Sequence, residues 1–191
     1  MYGNIYLLLL MAFHLVAALP VAVFVPQQLF RDDEFETVVK VIERAKIQVV
    51  TVAVDTSVAQ GIDGLLVKPQ RKLREMAPDD FAALVLIDGS GASVYWQDSV
   101  LQRICREFVA AGRLVAAIEL APITLAYAGV LNGKSATVFP DHFSIKILKE
   151  NGCRHRFGSV VKDGDIITAA KAEHALPFAR TVVRVLKERG W

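Results

Sequence analysis

Short, almost wholly apolar runs, separated by amphipathic stretches, constrain this chain most. Val21–Val25, Ile47–Val54, Ala82–Ile87 and Leu114–Ile118 are each a few residues long, rich in Val, Ile, Leu and Ala, and bounded by turn or helix signals. A run of that length without polar alternation is the pattern of a strand buried on both faces, which belongs in a parallel sheet. The segments between them have helical period. Asp32-Asp33-Glu34 opens one, with Phe35, Val38, Val39 and Ile42 on its apolar face and acidic residues in the first turn, where they suit the helix dipole. Gln97–Ala111 is a second, stopped by Gly112. Further helices are expected from Pro122 to Gly129, over His142–Asn151 and over Leu176–Glu188. Ser135–Phe139 is expected as another strand, and Ser159–Lys162 with Asp165–Ala169 as a hairpin turning at Asp163-Gly164. Asp55–Met76, punctuated by Gly61, Gly64 and Pro69, reads as an excursion with a small hairpin strand at Leu65–Val67. Alternation of this kind gives an α/β three-layer sandwich, a mostly parallel sheet with helices on both faces.

The 191 residues suffice for one domain with a sizeable core, spanning residues 21–191. Residues 1–20 carry no charged side chain. Three readings fit them: a signal or membrane anchor, with Val16-Ala17-Ala18 as a cleavage site; an extension from an upstream start; or an apolar element packed on the domain. A membrane partner follows only from the anchor reading, and a secreted location only from the signal reading; otherwise the expected location is cytoplasmic. A net charge of +2, without a basic stripe, argues against nucleic acid as a partner. The two cysteines make no disulfide framework. Cys105 falls on the buried stripe Leu101, Ile104, Cys105, Phe108, and Cys153 follows Gly152 at a strand mouth where it could be exposed.

Ligands in such folds bind outside the carboxyl ends of the strands. That rule directs attention to residues 27–33, 88–93, 119–121 and 140–142. In these stretches Phe30-Arg31-Asp32-Asp33-Glu34-Phe35, Gly89-Ser90-Gly91-Ala92-Ser93, Ala116-Ala117-Ile118-Glu119-Leu120-Ala121-Pro122, Leu131–Asp141 and Val161–Ala169 follow one another in an order that resembles the ThiJ/PfpI family. The resemblance covers residues 21–186 and implies the flavodoxin-like, class I glutamine amidotransferase-like fold, usually in a homodimer. It also implies a pocket built on a strand-to-helix elbow. The family carries a cysteine there, often followed by histidine, with an acidic partner from the first loop and a glycine-rich loop whose amides face a developing oxyanion.

By that resemblance Glu119 stands at the cysteine position and Leu120 at the histidine position. Asp33 matches the acidic partner, Asp88 the first residue of the glycine-rich loop, and Gly89 with Ser90 the oxyanion loop. Arg31 and His142 complete the candidate binding residues. A thiol mechanism does not carry over, because neither cysteine is at the elbow. The main expectation is a member without the family's cysteine catalysis, a pseudoenzyme that binds a small-molecule ligand or a protein partner, with Glu119 hydrogen-bonded to Asp33 and no cofactor. The alternative is a hydrolase or a glyoxalase- or deglycase-type enzyme using Glu119 with Asp33, with Glu119 as general base. In a third reading Asp33, Asp88 and Glu119 hold a hard divalent metal, with His142 nearby. His142, His155 and His174 otherwise read as surface residues.

Overall fold

A computed structural model describes residues 19–191. Residues 1–18, including the Val16-Ala17-Ala18 site, lie outside the described residues. β1 (Val21–Phe24) leads through β2 (Gln28–Phe30) into α1 (Asp32–Arg44). β3 (Val49–Ala53) is followed by β4 (Ala59–Gly61), β5 (Leu66–Val67) and β6 (Arg71–Lys72). After β7 (Ala83–Leu86) come α2 (Ser99–Ala110), β8 (Leu114–Ile118) and α3 (Pro122–Tyr127). β9 (Ser135–Ala136), α4 (His142–Glu150), β10 (Arg154–His155), β11 (Val160–Asp163), β12 (Ile166–Ala169) and α5 (Ala175–Glu188) complete the chain.

Seven strands form the central sheet in the order β11-β12-β8-β7-β1-β3-β6, parallel except for the β11–β12 hairpin. Side chains alternate across it. Val21, Val23 and Val25 pack under α1 and α5, against Phe35, Val38, Ile42, Phe178 and Val182. Ala22 and Phe24 face the other way, toward Leu101, Ile104 and Phe108 of α2, Ile123 of α3 and Leu148 of α4. Both faces are therefore covered, which is why the strand sequences show no polar alternation.

Two expectations need correction. Ser135–Phe139 does not join the central sheet: only Ser135–Ala136 forms a strand, and it pairs with β10 in a separate two-stranded sheet. Beyond it the backbone is held by single bonds, from Thr137 N to Thr168 Oγ1 at 2.8 Å and from Phe139 N to Glu119 O at 2.8 Å. Cys153 is buried rather than exposed, packed with Ala136, Leu148 and Val138 in the second core cluster.

Strands β4 and β5 of the excursion after β3 join β2 in a small sheet, β2-β4-β5, beside the carboxyl end of the main one. Asp32 ties it down. Its buried carboxylate accepts from Leu65 N at 2.7 Å and from Asp63 N at 3.1 Å. Asp32→Ala strands both donors and is expected to cost about 1–2 kcal/mol. Urea denaturation checks this; an unchanged midpoint would mean water replaces the carboxylate.

Candidate functional site

The carboxyl ends of β1, β7 and β8 bring three loops together: residues 25–31, 87–91 and 119–121. Glu119 follows β8 directly and has φ +57°, in the left-handed region that glutamate rarely enters. Its own backbone bonds hold it there. The N–H donates to Ala169 O at 3.0 Å and the carbonyl accepts from Phe139 N at 2.8 Å, so the elbow is clamped between β12 and the segment after β9. The side chain is 13% exposed, enough to line a cleft of about 250 Å³ with Arg31, Ile62, Asp88, Gly89, Ser90 and Leu120.

The carboxylate partner of Glu119 is Glu34, not Asp33. Glu34 is fully buried in the first turn of α1, and its Oε2 accepts from Asp88 N at 3.2 Å. Burial pushes its proton affinity well above the ordinary carboxyl range; a hydrogen bond with Glu119 and the charges of Glu119 and Asp88 push it further. Asp33 points outward with a side chain 61% exposed, accepting from Arg31 Nε at 3.2 Å and from Glu34 N at 3.0 Å. Helix geometry explains the difference. Glu34, Val38 and Ile42 recur every four residues on the core-facing stripe, whereas Asp33 is turned about 100° away from it.

Asp88 is 1% exposed. Its Oδ2 accepts from Leu120 N at 2.9 Å and its carbonyl accepts from Arg31 N at 2.8 Å. Burial pushes its carboxyl up to about 7; the Glu119 charge adds to this, while the Leu120 and Gly89 amides and the Arg31 charge oppose it. Three buried oxygens, Glu34 Oε1, Asp88 Oδ1 and Glu119 Oε2, receive no N–H or O–H donor from the described residues. Carboxylates only accept, so two of them satisfy each other when one carries a proton. A proton shared between Glu34 and Glu119 would satisfy two of the unpartnered oxygens, Glu34 Oε1 and Glu119 Oε2. Arg31, with Nε 3.6 Å from Glu119 Oε2, supplies compensating charge from the half-exposed rim.

The remaining candidates divide. Gly89, Ser90, Leu120 and Arg31 line the cleft with Glu119 and Asp88. His142 does not: it is exposed at the start of α4 and lines a different groove, because Asp141 caps that helix through Ser144 N at 2.9 Å and directs its first turn away from the elbow. The metal set Asp33, Asp88 and Glu119 is not assembled, since Asp33 lies at the surface on Arg31. Among the described residues no three His, Cys, Asp or Glu side chains are grouped to hold a metal ion. Among them, too, no helix is long and apolar enough to cross a membrane.

Residues 20–185 match the model of the DJ-1/PfpI family. The chain belongs to the DJ-1/PfpI family. An uncharacterized protein of Methanocaldococcus jannaschii is 32% identical over 160 residues, 83% of this chain and 78% of the relative. The dj-1beta protein of Drosophila melanogaster is 32% identical over 156 residues, 80% of this chain and 82% of the relative. Its crystal structure superposes with a TM-score of 0.78 at 28% identity, over 88% of this chain and 90% of that one. A ThiJ/PfpI domain protein from Brachyspira murdochii shares the fold at a TM-score of 0.85 and 24% identity, over 88% of this chain and 96% of that one. The central sheet and its two helical layers are thus the DJ-1/PfpI fold, flavodoxin-like and of the class I glutamine amidotransferase type.

Proposed function

We propose that this DJ-1/PfpI chain is a non-catalytic member, a cytoplasmic homodimer whose elbow cleft binds a small molecule without transforming it. The observation that carries this reading is the hydrogen bond from Leu120 N to Asp88 Oδ2. In acyl-transfer sites of this geometry the amide after the elbow residue faces the oxyanion that develops in the transition state. Here a buried side-chain carboxylate already takes that amide. An oxyanion arriving beside Leu120 meets a carboxylate instead of a free donor. Glu119 supports the reading as well, because a carboxyl that interacts with the buried Glu34 stands where the family carries its thiol nucleophile.

The test is turnover of methylglyoxal, a simple ester and a peptide by the wild type, Glu119→Gln, Glu119→Cys and Glu119→Cys/Asp88→Ala. The wild type is expected to be inactive. The double variant restores a nucleophile and frees the Leu120 amide, and should exceed Glu119→Cys by about 100-fold, the effect of one oxyanion donor. Wild-type turnover that disappears in Glu119→Gln would contradict the proposal. Glu119 would then be a general base, with Glu34 in the partner role first expected of Asp33.

A further inference from the structure

A second groove lies away from the elbow, between α4 and the turn that follows β10. His142, Ile145, Lys146 and Lys149 line one wall, at the three- and four-residue spacing of a helix face. Phe157 forms the other wall, Glu150 also borders the groove, and the space between is about 540 Å³. The Phe157 ring is 85% exposed, and its one aromatic neighbour among the described residues is His155, perpendicular to it at 4.8 Å between centroids. A ring so exposed adds little to the hydrophobic stability of the fold.

The charge around this ring is positive. Lys146 reaches Glu150 at 3.7 Å, but both side chains are about 60% exposed, so water screens the pair. Lys149 makes no ion pair among the described residues, and neither does Arg156 beside Phe157. Arg154 is offset by Asp163 at 3.7 Å. His155 senses this field: burial, and then the Lys149 charge, lower its proton affinity, and its buried Nε2 has no hydrogen-bond partner.

We infer that this groove binds a small aromatic anion, its ring against Phe157 and its carboxylate or phosphate between Lys146 and Lys149. The exposed ring offers a face for stacking and the two lysines a place for the charge. A second copy docking through the same face would bring two positive faces together. The site is independent of the elbow.

The test is an NMR titration of the full chain with three probes: AMP, benzoate and inorganic phosphate. AMP and benzoate carry ring and charge from two different sources, and phosphate carries charge alone. Binding of either aromatic anion should shift the Phe157 ring resonances and raise the pKa of His155, because the bound charge offsets Lys149; whichever binds more tightly names the source. Phe157→Ala should weaken that binding about tenfold, and Lys149→Gln should weaken it and abolish the His155 shift. Phosphate should bind at least about tenfold more weakly than the better aromatic anion. Equal binding of phosphate, or no shift at Phe157 with either aromatic anion up to about 10 mM, would overturn the inference. So would concentration-dependent dimerisation that Phe157→Ala abolishes, which would mean that a second copy covers the ring.

Discussion

Stability of the wild type is expected to fall as pH rises from 5 to 8, by about 2–4 kcal/mol, and Glu34→Gln is expected to remove much of that fall. Folding raises the proton affinity of both Glu34 and Asp88. Between the unfolded and folded values the native state holds more protons than the unfolded chain, so stability drops as pH increases. For Asp88 the window runs from its ordinary value of 3.8 to about 7. The stabilisation is complete below that window and lost above it, the reverse of a carboxylate paired with a cation. Asp141, which caps α4 through Ser144, has a lowered pKa and acts oppositely at the acid end. A maximum near the lower edge of the window follows. Gln at position 34 keeps an oxygen for the Asp88 amide and offers Glu119 a permanent N–H donor. It should therefore stabilise the protein at pH 8 by about 2 kcal/mol while flattening the profile. Chemical denaturation at several pH values checks both; a wild-type profile that rises from pH 5 to 8 would contradict the assignment.

Gly91→Ala is expected to cost about 3 kcal/mol or more and to disorganise the cleft. The backbone of Gly91 is ordinary, with φ −78°, so the constraint is closeness and not chirality. A methyl group there would collide with the carbonyl oxygen of Gln28 and sit 2.9 Å from its carbon. Those are backbone atoms of β2, fixed by its pairing with β4, and cannot swing aside as a side chain would. Leu29 already adopts φ +58° to pass this point, and its carbonyl accepts from Gly91 N at 3.2 Å. The loop can only retreat from β2, which breaks that bond and the one from Arg31 N to Asp88 O. Thermal unfolding reads the loss of stability, and resonance shifts at Leu120 report the loss of the Asp88 bond. Retention of wild-type Tm would show that the close approach is not maintained in solution.

The sheet could be read from the chain because parallel strands buried on both faces leave uninterrupted apolar runs, as Val21–Val25 and Leu114–Ile118 do. β9 resisted the same reading: Ser135–Phe139 has strand-like composition, but composition does not name the neighbour, and the neighbour is β10. Glu119, Asp88 and Gly89 were legible because they follow strand ends directly. The choice between Asp33 and Glu34 needed the helix phase, and the signal was present: Glu34 lies four and eight residues before Val38 and Ile42, on the buried stripe. What sequence could not carry is the bond between Asp88 and Leu120 N, made between residues 32 positions apart on neighbouring strand ends. That bond is the strongest support for a non-catalytic role. His142 misled for a related reason. The strand it follows, β9, pairs only with β10 in a separate two-stranded sheet, so the strand-end rule did not apply to it.

The most direct test of the shared-proton arrangement at the elbow is a carboxyl carbon NMR titration of Glu34 and Asp88 in the wild type and in Glu119→Gln. Glu34 is expected to release its proton well above the ordinary carboxyl range, and Asp88 to titrate at about 7. In Glu119→Gln the neighbouring negative charge is gone, and both should titrate lower than in the wild type. Ordinary titration of the two wild-type groups, near 4.5 and 3.8, would mean that the carboxyls are hydrated and separate. No proton would then link Glu34 to Glu119.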